Sequence, residues 1–140
     1  MRDWWSKQER KDIKRVCNRW IKGNLTAKEI KKNIGTLSWA VSCLLPELEK
    51  EVYASNAVDI LIDDILEMDS ISNEEKDESI LELVEINKEE LQFLAKRVIE
   101  QIDINTREYL EWYKKEAEER GFCRKSTEEL IARHTDTEDE

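Results

Sequence analysis

Helix-breaking residues are scarce along this chain, which holds only 3 glycines and 1 proline in 140 residues. Glycine and proline interrupt helices, whereas Glu, Lys, Leu and Ile, which are abundant elsewhere in the sequence, favour them. Charged residues make up 40% of the chain and hydrophobic residues 39%, enough for an ordinary core. The apolar periodicity therefore predicts an all-α protein, a compact multi-helix bundle of about 7–9 helices.

Capping boxes, in which Ser, Thr or Asn precedes Glu by three positions, predict six helix starts. They are Ser6/Glu9, Thr26/Glu29, Ser72/Glu75, Asn87/Glu90, Asn105/Glu108 and Ser126/Glu129. Gly23, Gly35 and Gly121 stand where the preceding helices should end in left-handed caps. These signals predict helices over 6–22, 26–34, 38–45, 46–54, 56–69, 73–86, 88–103, 106–120 and 127–134. A join across 46–69 and a single helix over 88–120 are the open alternatives.

Residues 25–45, LTAKEIKKNIGTLSWAVSCLL, resemble a helix-turn-helix motif through Leu25, Thr26, Glu29, Ile30 and Gly35. The resemblance implies two helices joined by a tight turn at Gly35, with a second helix that reads bases in DNA-binding members. That second helix, SWAVSCLL, contains none of the Arg, Lys, Asn or Gln side chains that read base edges. We therefore expect the motif to serve packing, with any DNA contact made by basic residues around it.

Charge is divided unevenly along the chain. Residues 1–35 carry 11 Lys or Arg and 4 Asp or Glu, whereas residues 36–140 carry 12 and 29. We interpret 1–134 as a single domain with a basic head at about 1–45 and an acidic body at about 46–134, before a disordered acidic tail at 135–140. A solvated helix face, phosphate contacts or an acidic protein partner would each account for the basic residues. The nucleic-acid-binding candidates are Arg10, Lys11, Lys14, Arg15, Arg19, Lys28, Lys31 and Lys32.

Negative side chains recur on nearly every turn of the acidic body. Such a face can steer association with a basic protein, imitate nucleic-acid phosphates, or simply keep the protein soluble. Tryptophan is a frequent anchor of protein interfaces, so two N-terminal tryptophans join the densest acidic run as candidates, with packing in the core or as a staple before the first helix as the alternative. The protein-binding candidates are Glu74, Glu75, Asp77, Glu78, Glu82, Glu85, Trp4 and Trp5.

The other residue clusters predict no catalytic, cofactor or metal site. Carboxylates in residues 59–67 superficially resemble the metal-binding helices of isoprenoid synthases and all-α nucleotide pyrophosphatases, but Glu is so abundant that a solvated face is expected. His134, the single histidine, has no placed partner for acid–base catalysis. The helix that contains residues 58–66 is apolar nearly all round and is expected to be central. Further predicted core residues are Cys17, Trp20, Trp39 and Cys43.

Three cysteines without close pairs predict a reduced, cytoplasmic protein. A membrane span needs about 18 consecutive apolar residues, and the sequence contains no such run, so we expect no membrane span. These traits favour a non-enzymatic binder that blocks or sequesters a protein partner with a basic surface, as inhibitors, immunity proteins and phage anti-defence proteins do. The segment RWIKGNLTAKEI also resembles the opening of some bacterial immunity proteins. The alternative is a nucleic-acid-binding regulator that uses the basic head. Homodimerisation stays open.

Overall fold

The computed structural model describes residues 5–121 and residue 132. Five helices make up this described part: α1 Lys7–Lys22, α2 Ala27–Leu44, α3 Glu49–Glu67, α4 Asn73–Ile86 and α5 Lys88–Glu119. The predicted all-α class is confirmed, but the predicted count of 7–9 helices is wrong. Apart from residue 132, the predicted helix over 127–134 lies outside the described residues, as do the Ser126/Glu129 box, Trp4, Cys123, His134 and the acidic tail.

α2 is one uninterrupted helix through Gly35, so the predicted turn and the helix-turn-helix-like part of the fold are wrong. Glycine inside a helix costs roughly 0.5–1 kcal/mol relative to alanine. Burial of a single aliphatic side chain contributes about 1.5–3 kcal/mol, and α2 buries several on both sides of Gly35. They are Ile30, Ile34, Leu37 and Val41. Packing of this face therefore keeps the helix continuous where the local sequence signals an end.

Two further predicted helix boundaries, one within 46–69 and one within 88–120, are absent. In both places the structure has the single helix of the open alternative. α3 joins the segments predicted at 46–54 and 56–69, and Pro46 lies in the turn before it. α5 likewise runs as a single helix through Asn105 and Thr106. Thr106 fits the helix interior because its hydroxyl donates to the Ile102 carbonyl at 2.7 Å.

The predicted caps at Ser6, Thr26 and Ser72 are confirmed. In each, the backbone N–H of the glutamate three residues later donates to the hydroxyl at 3.2 Å. The sequence predicts Asn87 as the cap at the start of the next helix. Its side-chain amide instead donates to the Leu83 carbonyl at 2.8 Å, so it provides a hydrogen bond to a carbonyl in the last turn of α4. Short-range capping signals therefore locate most of the helix starts correctly.

The chain forms two compact units, one over 13–99 and the other over 1–12 and 100–140. In the first, α2 packs against α3 and α4, and α3 packs against α4. The Ser38 hydroxyl of α2 donates to the Asn56 side chain of α3. The buried side chains of this unit include Cys17, Trp20, Ile34, Leu37, Val41, Ile62, Ile80, Leu94 and Val98. In the described part of the other unit, the buried residues are Arg10, Ile102, Thr106 and Ala117.

Some apolar residues that the sequence predicts as core lie at the surface. Trp39 is 49% exposed, and Cys43 is an exposed free thiol. α3 is not central, because it buries only one face and leaves Ile60 60% and Leu61 46% exposed. Cys17 is confirmed as a core residue, and burial raises the pKa of its thiol to about 12. None of the described helices combines the length and the apolar character that crossing a membrane requires.

Candidate functional site

α4 carries a row of carboxylates on its solvent-facing side. Glu74, Glu78, Glu82 and Glu85 follow one another at spacings of four, four and three residues, so they share one face of the helix. All four are exposed, and no carboxylate among them bonds to another described side chain. At 1.5 Å per residue the row is about 16 Å long. We call these four residues the acidic row.

Other predicted protein-binding residues make contacts within the protein. Glu75 belongs to the cap of α4, where the Ser72 hydroxyl donates to its carboxylate at 3.3 Å. Asp77 accepts a hydrogen bond from Lys31 of α2 at 3.1 Å. Trp5 is half-buried, and Trp4 lies outside the described residues. The structure therefore separates the acidic row from carboxylates that serve the fold.

An apolar cleft of about 400 Å³ lies beside the acidic row. Its volume falls within the range of roughly 300–1,000 Å³ that is usual for ligand pockets. Glu82 and Glu85 belong both to the acidic row and to the lining of the cleft. The rest of the lining consists of Trp20, Gly23, Asn24, Leu25, Ile30, Leu81, Val84, Lys88, Leu91 and Gln92. Sequence reasoning missed this site because these residues come from four helices and a loop.

The loop between α1 and α2 forms one wall of the cleft. Gly23 and Asn24 adopt the left-handed region with φ of +82° and +54°, which glycine enters freely and asparagine tolerates. The Arg19 guanidinium donates to their carbonyls at 2.8 and 3.3 Å. It also forms a forked ion pair with Glu29 at 2.6 and 3.0 Å. We call this arrangement the Arg19 clamp.

The Arg19 clamp affects the ionisation of Glu29. Hydrogen bonds from Arg19, and then from the Thr26 backbone, lower the pKa of Glu29. A carboxyl group with a lowered folded-state pKa stabilises the fold above its unfolded pKa. That contribution is lost as the pH falls through the folded-state value, so we expect acid to weaken the ion pair between Arg19 and Glu29.

A side chain of α5 ties the lining of the cleft to the end of α1. The Gln92 amide donates to the Ile21 carbonyl at 3.1 Å and more weakly to the Trp20 carbonyl at 3.5 Å. Trp20 is only 2% exposed, and its indole Nε1 has no hydrogen-bond partner among the described residues. A buried N–H without an acceptor costs about 1–3 kcal/mol. The cleft lining therefore includes Trp20, whose buried indole N–H makes no hydrogen bond with a described residue.

The basic candidates divide into those that serve the fold and those at the surface. Arg10 is fully buried, and its Nη1 donates to the Trp5 carbonyl at 2.5 Å, so it is unavailable to a phosphate in this structure. Arg19 is held in its clamp, and Lys31 is paired with Asp77. Of the other candidates, Arg15, Lys28 and Lys32 are exposed, and Lys11 and Lys14 are half-buried. Since α2 is continuous, these residues do not flank a helix-turn-helix.

The described residues contain no group of three or more His, Cys, Asp or Glu side chains arranged to hold a metal ion. Burial, and then the neighbouring Asp63 carboxylate, raise the pKa of Asp59. Asp63, Asp64 and Glu67 are exposed, as a solvated face predicts.

No protein-family model, curated protein sequence or solved structure matches the chain. Within the described residues, the acidic row and the adjoining cleft form the candidate functional site. They lie in the same compact unit, and α4 contributes to both.

Proposed function

We propose that this protein is a non-catalytic binding protein whose acidic row docks against a basic surface of a protein partner and so blocks or sequesters that partner. The observation that carries the proposal is the row itself, four exposed carboxylates without a described partner. Like charges one turn apart destabilise a helix by about 0.2–0.5 kcal/mol per pair. A basic partner would relieve this repulsion, so the row gains most when a complementary surface covers it.

The rest of α4 supports this role because it holds the row in place before any partner arrives. Ser72 caps the helix, and Ile80 anchors it in the core. Lys76 donates to the Leu66 carbonyl at 2.9 Å, and Asp77 is tied to Lys31 of α2. A pre-organised surface loses less conformational entropy on binding. Exposed complementary charges also speed association and make it sensitive to salt.

The nucleic-acid alternative has less support, because Arg10, Arg19 and Lys31 already bond to other groups of the protein. The free thiols of Cys17 and Cys43 support our expectation of a reducing, cytoplasmic setting. Blocking a partner needs no catalytic residue, only coverage of its basic surface.

The test uses a labelled helical peptide of about 18 residues with lysines spaced to face the acidic row. Fluorescence anisotropy at about 50 and 200 mM NaCl should show binding that weakens as salt rises. The triple variant Glu78→Lys, Glu82→Lys and Glu85→Lys should bind roughly tenfold more weakly or worse. The matched control Glu47→Lys, Glu67→Lys and Asp69→Lys changes exposed residues and net charge equally, and should bind like the unmodified protein.

Equal losses in both triple variants would show that only net charge matters and would refute the acidic row as the site. If the unmodified protein ignores the peptide but shifts a labelled DNA duplex at low salt, the function belongs to the basic residues instead. Sedimentation of the protein alone reports whether the exposed apolar residues of α3 pair two copies.

A further inference from the structure

We infer that the cleft receives one bulky apolar side chain from the same basic partner segment that the acidic row binds. This inference rests on the proposed function and adds a second recognition element to it. The partner segment would then be amphipathic, with cations for the acidic row and an anchor for the cleft. Such anchors, buried in a pocket and ringed by polar contacts, dominate many protein interfaces.

The positions of Leu81, Glu82 and Glu85 on α4 join the two elements. Glu82 and Glu85 line the cleft and also end the acidic row. Leu81 precedes Glu82, lines the cleft and is 41% exposed, so its apolar surface is open to a partner. Cations placed over Glu82 and Glu85 would therefore hold the neighbouring side chains of the segment at the cleft. Lys88 also lines the cleft, which favours approach of the cations from the α4 side.

The size and lining of the cleft fit a single anchor. Its volume of about 400 Å³ is near the lower end for ligand pockets, and half of its twelve lining residues are aliphatic or aromatic. Leu25, Ile30, Val84 and Leu91 supply apolar contacts from four different segments. An aromatic or large aliphatic side chain would replace water against all of them.

The walls of the cleft are already braced for such an anchor. The Arg19 clamp holds the α1–α2 loop, and Gln92 ties α5 to the end of α1. The lining also includes the Glu82 and Glu85 carboxylates beside its apolar residues. This combination of carboxylates and apolar surface favours a basic, amphipathic peptide over a hydrocarbon ligand as the occupant.

The test extends the basic peptide into a set in which a single Phe occupies each position between the lysines in turn. Each member is paired with the same peptide carrying Ala there. In one register the Phe peptide should bind roughly tenfold more tightly than its Ala partner. Leu81→Gln should remove this advantage and leave binding of the Ala peptide unchanged. Ile86→Gln should keep the advantage, since Ile86 is 81% exposed on the same helix but does not line the cleft.

A second readout follows the Trp20 indole N–H signal by NMR, assigned from its loss in Trp20→Phe. The Phe peptide should move this signal, and its Ala partner should leave it in place. The readout reports occupancy of the cleft directly, because Trp20 is part of the lining.

The outcomes separate this inference from the proposed function. Equal affinity for Phe and Ala peptides in every register, with salt dependence retained, overturns the cleft anchor and leaves the acidic row as the site. Absence of salt-dependent binding by either peptide overturns the proposed function. The triple variant Glu78→Lys, Glu82→Lys and Glu85→Lys tests whether the acidic row and the cleft bind the same segment. If this variant still binds the Phe peptide more tightly than its Ala partner, the cleft acts independently of the acidic row and the inference is overturned.

Discussion

Three basic residues of α1 and α2 and the acidic row of α4 use charge in opposite ways. Arg10 is buried against the Trp5 carbonyl, Arg19 clamps the α1–α2 loop, and Lys31 bridges to α4. The acidic row instead projects four carboxylates that form no hydrogen bond or ion pair with a described side chain. The comparison shows that the sign of a segment's net charge does not tell how many of its charged side chains remain unpaired and open to a partner. Only available charges can recruit a partner.

The physical cause lies in the side chains and in their surroundings. Arginine has a long apolar stem and five N–H donors, so it can be buried while its head satisfies backbone carbonyls. Arg19 stands beside the carbonyls that the end of α1 and the left-handed loop leave unpaired. Glutamates on the outer face of α4 face solvent, where water and a partner are the available donors.

The largest expected effect is at Arg10. We expect Arg10→Ala to lower the free energy of unfolding by about 2–3 kcal/mol, because it removes a buried side chain and a charged hydrogen bond. Urea denaturation measures the loss, and the exposed control Lys28→Ala should change stability by less than about 0.5 kcal/mol. Arg10→Met, which keeps the stem volume, separates packing from bonding. A fully stable Arg10→Ala would contradict the structural role and return Arg10 to the candidate surface cations.

The second-largest expected change in stability is at Gly35. Substitution of this residue tests whether α2 is one continuous helix or contains the turn of a helix-turn-helix. Gly35→Ala should raise the free energy of unfolding by about 0.5–1 kcal/mol, since an added Cβ meets nothing within 4 Å and Ala favours helix. The control Gly23→Ala should lower stability, because Gly23 has a φ of +82°. Thermal and urea unfolding report both. A loss of stability in Gly35→Ala would indicate a left-handed turn there.

The smallest effect tests whether the acidic row is dispensable for folding. The double variant Glu78→Gln and Glu82→Gln should raise the free energy of unfolding by about 0.5 kcal/mol at low salt, because it removes repulsion one turn apart. High salt should abolish this gain by screening. Glu75→Gln is the contrasting control, since Glu75 accepts from the Ser72 hydroxyl at the cap. If the double variant were less stable at low salt, the row would have a structural role that the contacts do not show.

Sequence reasoning succeeded where the interacting residues are three or four positions apart. The caps at Thr26 and Ser72 and the left-handed end at Gly23 follow from such contacts. It was wrong about the turn at Gly35 and about burial of Trp39, because packing partners decide both. Of the candidate site, the sequence indicates an acidic run over residues 74–85 but not which carboxylates remain exposed and unpaired.

By itself, the sequence determined the all-α class, most helix starts and the sign of each surface, since these depend on nearest neighbours along the chain. Tertiary structure alone decided that α2 and α5 run unbroken and that Arg10 is buried. It also created the cleft, whose wall depends on Gln92 reaching Ile21 across 71 positions. Local signals cannot encode a contact of that span, because its strength depends on how distant helices pack. The pairing of an acidic row with an apolar cleft is therefore a property of the folded chain.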